Sequence, residues 1–383
     1  MKIMIVSDAW LPQVNGVVRT LMTTREQLER IGHDVRVVSP DMFRTFPCPT
    51  YPEIRLAWLP GKKIRQLIED YDPDCLHIAT EGPLGWSARK VALLTGRAFT
   101  TAFHTRFPEY VKARSGIPLA FTYAILRRFH APSKGVMVAT DSISRDLRHY
   151  GIAHLKRWSR GVDFARFNTH TRVLGQSLTV LDPIGGQPAV KRPVFLFAGR
   201  VAVEKNIEAF LKLDLPGEKW VAGDGPQKKQ LAAKYPDVRW LGMLDSATLS
   251  LAYQQADVFV FPSLTDTFGL VLLEAMACGL PVAAFPVAGP KDVIGDSGAG
   301  ALDFDLRAAC LAAMNIPRQK VLAHARMFTW ENATAQFLNN LQIIGKSPAI
   351  DMGASAPAIR FSSGTGQTRN PVRVHQHREL PGQ

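Results

Sequence analysis

Short apolar runs alternate with amphipathic helical patterns along most of this 383-residue chain, and the alternation restricts the fold before any single residue is weighed. In the first half the runs fall at residues 3–7, 35–39, 75–78, 99–102 and 136–140, with helix-period segments between them at 17–31, 62–71, 85–95 and 142–150. Strands interleaved with helices build a parallel sheet covered on both faces, and such strands are apolar throughout because neither side meets water. A second series restarts at 194–198 and continues through 219–222, 238–241, 258–262 and 282–285. The expected fold class is therefore α/β, with two doubly wound, Rossmann-like halves. The run Pro183-Ile184-Gly185-Gly186-Gln187-Pro188 is a loop signal between them. The division that follows is 1–166, a linker at 167–192, a second half at 193–328, a last amphipathic helix at 329–344 and a tail at 345–383. That tail is rich in Gly, Ser, Pro, Gln and Arg, too poor in apolar surface to order itself. Ligands of such sheets bind outside the carboxyl ends of the strands, so two facing halves put one site in the cleft between them.

Charge is unevenly placed. Lys and Arg number 46 against 33 Asp and Glu, a net of +13. Residues 1–170 hold 25 against 15, residues 171–344 hold 16 of each, and residues 345–383 hold 5 against 2. An anionic surface would thus meet the first half. Nucleic acid is not the expected partner, because no aromatic-basic stacking motif or helix-turn-helix pattern accompanies the charge. The cysteines, Cys48, Cys75, Cys278 and Cys310, lack the close spacing of a zinc or redox motif and read as free thiols of a reducing compartment. The first apolar run is too short for a signal peptide, and no apolar stretch reaches the ~18 residues of a membrane span. A cytoplasmic protein, able to lie on a membrane face, is expected.

Five clusters carry chemistry. In Phe261-Pro262-Ser263-Leu264-Thr265-Asp266-Thr267-Phe268-Gly269-Leu270, a strand ends in a polar loop and a helix starts near Gly269, with Glu274 inside it. Amides of Phe268, Gly269 and Leu270 at a helix N-terminus suit a diphosphate or a sugar hydroxyl. Asp266 and Glu274 could hold hydroxyls at two places on one ligand, or Asp266 could cap the helix and Glu274 face solvent. Gly199-Arg200 ends a strand and Lys205 follows, so two cations could neutralise a diphosphate, or form a solvated basic loop. Gly223-Asp224-Gly225-Pro226 is a tight turn after a strand. Gly16 closes the loop after the first strand and allows close backbone approach, without a GxGxxG fingerprint for a nicotinamide or flavin. His104 falls at a strand end, where either a structural or a functional histidine would fit.

With these clusters in this order, the sequence resembles glycosyltransferase family 4, retaining enzymes of the GT-B fold, from about Met1 to Ile343. The strongest motif is Asp266…Glu274 around Phe268-Gly269-Leu270. The family usually has Glu at the first position; the Asp-Thr-Phe-Gly form is similar to a subset that glycosylates lipids, including mannosyltransferases. The resemblance implies that Glu274 takes the donor ribose hydroxyls and that Asp266 sits near the transferred sugar. It places Arg200 and Lys205 on the diphosphate, Gly16 opposite them, and His104 beside the sugar ring. Gly223, Gly242 and Met243 would flank the nucleotide base. Trp330-Glu331-Asn332 would open a terminal helix that crosses back to the first half. The candidate catalytic set is thus His104, Arg200, Lys205 and Asp266.

The implied reaction is hexosyl transfer from a nucleoside-diphosphate sugar, with GDP-mannose, UDP-glucose and UDP-glucuronate open as donors. No Asp-x-Asp occupies a metal position, and the fixed cations make a metal or other cofactor unnecessary. For the acceptor, Lys62, Lys63 and Arg65 give one helix a basic first turn, and residues 117–130 mix apolar side chains with Arg127 and Arg128. Such segments can lie on anionic lipid, or pack on the sheet with a solvated basic end. The expected acceptor is a membrane lipid such as diacylglycerol or a glycolipid, at the inner face of the cytoplasmic membrane. A nucleotide-sugar epimerase or hydrolase of the same fold, and a transferase acting on a polysaccharide, are the alternatives.

Overall fold

A computed structural model describes residues 1–13, 15–48, 51–169 and 191–344. Most of the expected linker, and the tail at 345–383, lie outside the described residues. The strands of the first half are β1 (Lys2–Val6), β2 (Asp34–Val38), β3 (Thr45–Cys48), β4 (Tyr51–Ala57), β5 (Cys75–Ile78), β6 (Thr100–Phe103), β7 (Val136–Val138) and β8 (Leu155–Arg157). Those of the second are β9 (Val194–Ala198), β10 (Glu218–Ala222), β11 (Arg239–Gly242), β12 (Val258–Phe261), β13 (Val282–Ala284) and β14 (Gly300–Leu302).

Each half forms a six-stranded sheet, β2-β1-β5-β6-β7-β8 and β11-β10-β9-β12-β13-β14, and their strand pairs are parallel. The strand order reverses between β1 and β5 in the first sheet and between β9 and β12 in the second. Those two reversals are the crevices where open α/β sheets bind ligands. The central strands β1, β5, β6, β9 and β12 are almost wholly buried, as continuous apolar runs require.

Elements that periodicity did not indicate are short or interrupted. The antiparallel hairpin β3–β4 carries Pro47 and Pro52, which break its alternation. β8 includes Lys156 and Arg157 at a sheet edge, where charge suppresses further pairing. β14 is only Gly-Ala-Leu.

The helix Trp330–Asn340 follows the second sheet in sequence but packs on the first. Phe337 is buried in one cluster with Ile3, Ile5, Leu21, Cys75 and Trp158. Thr329 caps this helix, its hydroxyl accepting the Asn332 N–H at 3.1 Å. Gly161 is essential to the docking in a steric sense, since a Cβ there would lie 2.3 Å from the Trp330 nitrogen.

Candidate active site

Because β9 and β12 are neighbours, the loops that leave their carboxyl ends are stitched together. Lys205, in the turn after β9, donates to both carboxylate oxygens of Asp266, at 2.6 and 2.9 Å. Asn206 takes a left-handed conformation (φ 50°), and its amide donates to the Pro262 carbonyl at 3.0 Å. The hydroxyls of Ser263 and Thr265 both donate to the Glu204 carbonyl. Asp266 is therefore an ion-pair partner rather than a helix cap. The N-cap of the helix Leu270–Ala277 is Gly269, in the left-handed region (φ 84°) with no side-chain cap. Of its first-turn amides, the Leu272 N–H donates to the Gly269 carbonyl at 2.9 Å. Arg200 is exposed at the end of β9.

Glu274 is not on a solvent face. It is buried, accepts a hydrogen bond from the Tyr253 hydroxyl at 3.3 Å, and pairs with Arg19 of the first half. Burial pushes its carboxyl above the ordinary glutamate value, while Arg19 and Tyr253 pull it back. Arg19 lies on the helix Gly16–Arg30, capped by Asn15, whose side chain accepts the N–H groups of Val17 and Val18 at 3.0 Å. Gly16 opens this helix against the other half, with Leu270 Cδ1 3.8 Å from where its Cβ would be.

His104 follows β6 and is buried. Its carbonyl accepts the Thr267 hydroxyl at 2.8 Å, which brings it to the loop that carries Asp266. Its Nδ1 lies 3.0 Å from an Arg160 nitrogen. Burial first, then Arg160 and His77, push the imidazole well below its usual value, so it is neutral.

Gly223 and Gly242 sit at the carboxyl edge of the same sheet, where the Gly223 N–H donates to the Gly242 carbonyl at 2.6 Å. A Cβ on Gly223 would lie 1.9 Å from the Gly199 oxygen, so only glycine fits. Met243, just beyond, is exposed. The expected residues of the second half therefore gather on one edge, with Gly16 and His104 reaching them from the first.

Lys62, Lys63, Arg65, Arg127 and Arg128 lie elsewhere. The helices Gly61–Tyr71 and Leu119–His130 send Ile64, Ile68 and Phe129 into one cluster over the first sheet. Lys63 donates to the Met42 carbonyl at 2.6 Å and Arg65 pairs with Glu69 at 2.8 Å, so local partners occupy both. Lys62, Arg127 and Arg128 are exposed. Leu119–His130 buries Tyr123, Leu126 and Phe129 and turns Phe121 and Ile125 outward, beside Arg128. Among the described residues, no helix is long and apolar enough to cross a membrane.

Three residues that matter here escaped the sequence reading as site residues. Arg19 lies on the helix Gly16–Arg30 and Arg160 follows β8, and no local motif marks either. Asp8 is buried at the reversal point of the first sheet, where it accepts from the Thr80 hydroxyl and from the Leu84 and Gly85 N–H groups. Burial nevertheless pushes its carboxyl up to about 6.

The family described as Glycosyltransferase Family 4 matches residues 14–166, and Glycosyl transferases group 1 matches residues 192–314. A GDP-mannose-dependent alpha-mannosyltransferase of Mycolicibacterium smegmatis is 29% identical over 322 residues, covering 79% of this chain and 84% of that protein. An alpha-monoglucosyldiacylglycerol synthase of Streptococcus pneumoniae is 28% identical over 353 residues, covering 82% and 78%. Among solved structures, the sucrose-phosphate synthase of Thermosynechococcus elongatus superposes with a TM-score of 0.68 at 19% identity, covering 88% of this chain and 97% of that one. Two family matches in tandem, relatives along most of the chain and the paired parallel sheets place this protein in glycosyltransferase family 4, as a glycosyltransferase of the GT-B fold.

Proposed function

We propose that the protein transfers a hexosyl group, with retention of configuration, from a nucleoside-diphosphate sugar to a membrane lipid such as diacylglycerol or a glycolipid. GDP-mannose is the first donor to test, because relatives similar along most of the chain are named as GDP-mannose-dependent mannosyltransferases. UDP-glucose and UDP-glucuronate are the next. In this reading Glu274 holds the ribose hydroxyls and the amides at Phe268–Leu270 meet the sugar and diphosphate. As the glycosidic bond breaks, negative charge develops on the leaving diphosphate, and Arg200 and Lys205 stabilise it. Losing one such group costs on the order of 10²-fold in rate. These fixed cations take the place of a divalent ion, so a chelator leaves turnover unchanged.

The observation that carries the lipid acceptor is the outward face of the helix Leu119–His130. It sets Phe121 and Ile125 beside Arg128 in solvent, on the half that holds the excess charge. An apolar row flanked by cations matches an anionic bilayer surface better than a soluble polysaccharide. The relative named as a monoglucosyldiacylglycerol synthase supports the same acceptor class.

The test is to incubate the purified protein with membrane lipid and a panel of sugar nucleotides, then to analyse the products by mass spectrometry. A hexosyl lipid formed from one donor, and lost in Lys205→Ala, is the expected result. Free nucleotide with no lipid product would favour the hydrolase or epimerase reading instead.

A further inference from the structure

Arg160 is a buried guanidinium, 5% exposed, with no carboxylate among its hydrogen-bond partners in the described residues. One of its nitrogens donates to the carbonyls of Trp158 and Ser159, at 2.6 and 3.0 Å. Its plane lies over the Trp158 ring, 4.6 Å from the centroid. The other terminal nitrogen lies 3.0 Å from His104 Nδ1. A buried cation without a counter-ion is costly, and backbone carbonyls with an aromatic face offset only part of that cost. The remaining contact is the one to His104.

A guanidinium carries donors only. The nitrogen facing Arg160 must therefore be the accepting one, with its lone pair free. A neutral imidazole that accepts at Nδ1 carries its proton at Nε2. That Nε2 is buried and has no hydrogen-bond partner among the described residues. The ring is further fixed by Trp158, edge-on at 5.4 Å, and the residue's carbonyl by the Thr267 hydroxyl.

We propose that Arg160 is a positioning residue that locks His104 as the neutral Nε2–H tautomer, so that His104 presents a hydrogen-bond donor to an acceptor oxygen of the transferred sugar. His104 then cannot accept the proton of the incoming hydroxyl, because its outward nitrogen is already protonated and its other lone pair is occupied. The proposal rests on the hexosyl-transfer reading for the identity of that oxygen, but not for the tautomer. The charged and titratable groups acting on this pair are His77, beside His104, and Arg157, beside Arg160, and each disfavours a further positive charge.

The test is ¹⁵N NMR of the full chain labelled at histidine, with the His104 signals identified by their loss in His104→Gln. The expected spectrum has a bare Nδ1 and a protonated Nε2, unchanged between about pH 5.5 and 8.5. In Arg160→Met, His104 is expected to lose its fixed tautomer and to titrate at higher pH, and donor turnover to fall about 10²-fold. Arg160→Lys, which keeps a donor, is expected to restore the tautomer and at least tenfold of the turnover. A wild-type spectrum with the proton at Nδ1, or an imidazolium at neutral pH, would overturn the proposal even if no variant folds. So would an Arg160→Met protein whose His104 keeps the same tautomer across the range. The tautomer is read without substrate, so a correct spectrum with no sugar transferred from any donor would sink the proposed function and leave this assignment standing.

Discussion

Arg19 and Glu274 stand 255 positions apart in the chain and form an ion pair that ties the first helix to the helix after β12. The pair is unequal: the carboxylate side chain is 5% exposed and the guanidinium 42%. Arg19 retains much of its water, whereas Glu274 depends on its partners. The carboxylate proposed to hold the donor ribose thus already has a cation from the opposite half.

Arg19→Ala leaves that buried acid with Tyr253 alone. The expected loss of stability is about 1–3 kcal/mol, read by urea denaturation. Arg19 is also one of the groups that keep the Glu274 carboxyl from rising further. Without it the acid takes up a proton at higher pH. Nucleotide-sugar affinity, measured by calorimetry from pH 5 to pH 8, is then expected to weaken earlier on the descent than in the wild type.

Lys205 is held by Asp266 on the same loop edge. A lysine that grips a diphosphate while paired to a carboxylate works against that carboxylate. Asp266→Asn removes the competing charge and is expected to tighten binding of a nucleoside diphosphate by at least about fivefold, since unlike charges a few ångströms apart interact by about 1 kcal/mol even in water and by more near a protein surface. Turnover falls in the same variant, because the acid no longer faces the sugar. Lys205→Met is expected to weaken nucleotide binding and to cut turnover on the order of 10²-fold. Calorimetry and product assays on both variants separate the two effects.

The parts of this site that could be read in the sequence are those whose signal is local. Gly269 at a helix start, Gly199-Arg200 at a strand end and the apolar central strands each announce themselves within ten residues. What could not be read is proximity set by topology. Lys205 meets Asp266 because β12 inserts beside β9, and no local pattern encodes that neighbour. Glu274 looked equally fit for a solvent face until Arg19 and Tyr253 came to it from elsewhere. Arg160 sits in an ordinary loop sequence and gains its meaning only from His104, 56 positions earlier. The helix Leu119–His130 was visible as a mixture of apolar and basic residues, but which apolar ones face outward depends on how it docks on the sheet.

Asp8 gives the protein a pH dependence opposite in sign to that of a salt-bridged carboxylate. Its folded value is about 6 against 3.8 in the unfolded chain. Between those values the unfolded chain has released its proton and the folded one keeps it. Stability contributed by Asp8 therefore falls as pH rises from about 4 to 6 and is constant above, with a total of about 3 kcal/mol. The carboxylate has little room to relax, as a Cβ on Gly82 would lie 2.4 Å from its Cγ. Asp8→Asn deletes this titration and adds a fixed loss for the missing acceptor oxygen. Urea denaturation at several pH values is expected to show the variant gaining on the wild type between pH 4 and pH 7, with a constant difference beyond.

Phe121 is 62% exposed on a helix whose other face is already buried. Replacing Phe121 and Ile125 with serine therefore removes little from the folded core, and stability is expected to change by less than about 0.5 kcal/mol per site. If the outward row enters a bilayer, however, burying one such side chain contributes about 1.5–3 kcal/mol. Co-sedimentation with anionic vesicles is then expected to fall at least tenfold, at low and high salt alike. Arg127→Glu with Arg128→Glu acts through charge, at about 1 kcal/mol per residue near the surface. That loss should fade as salt shortens the screening length to a few ångströms. Vesicle binding by both pairs of variants across a salt series distinguishes an inserted apolar row from a merely cationic surface, and equal binding by all of them would remove the membrane from the acceptor proposal.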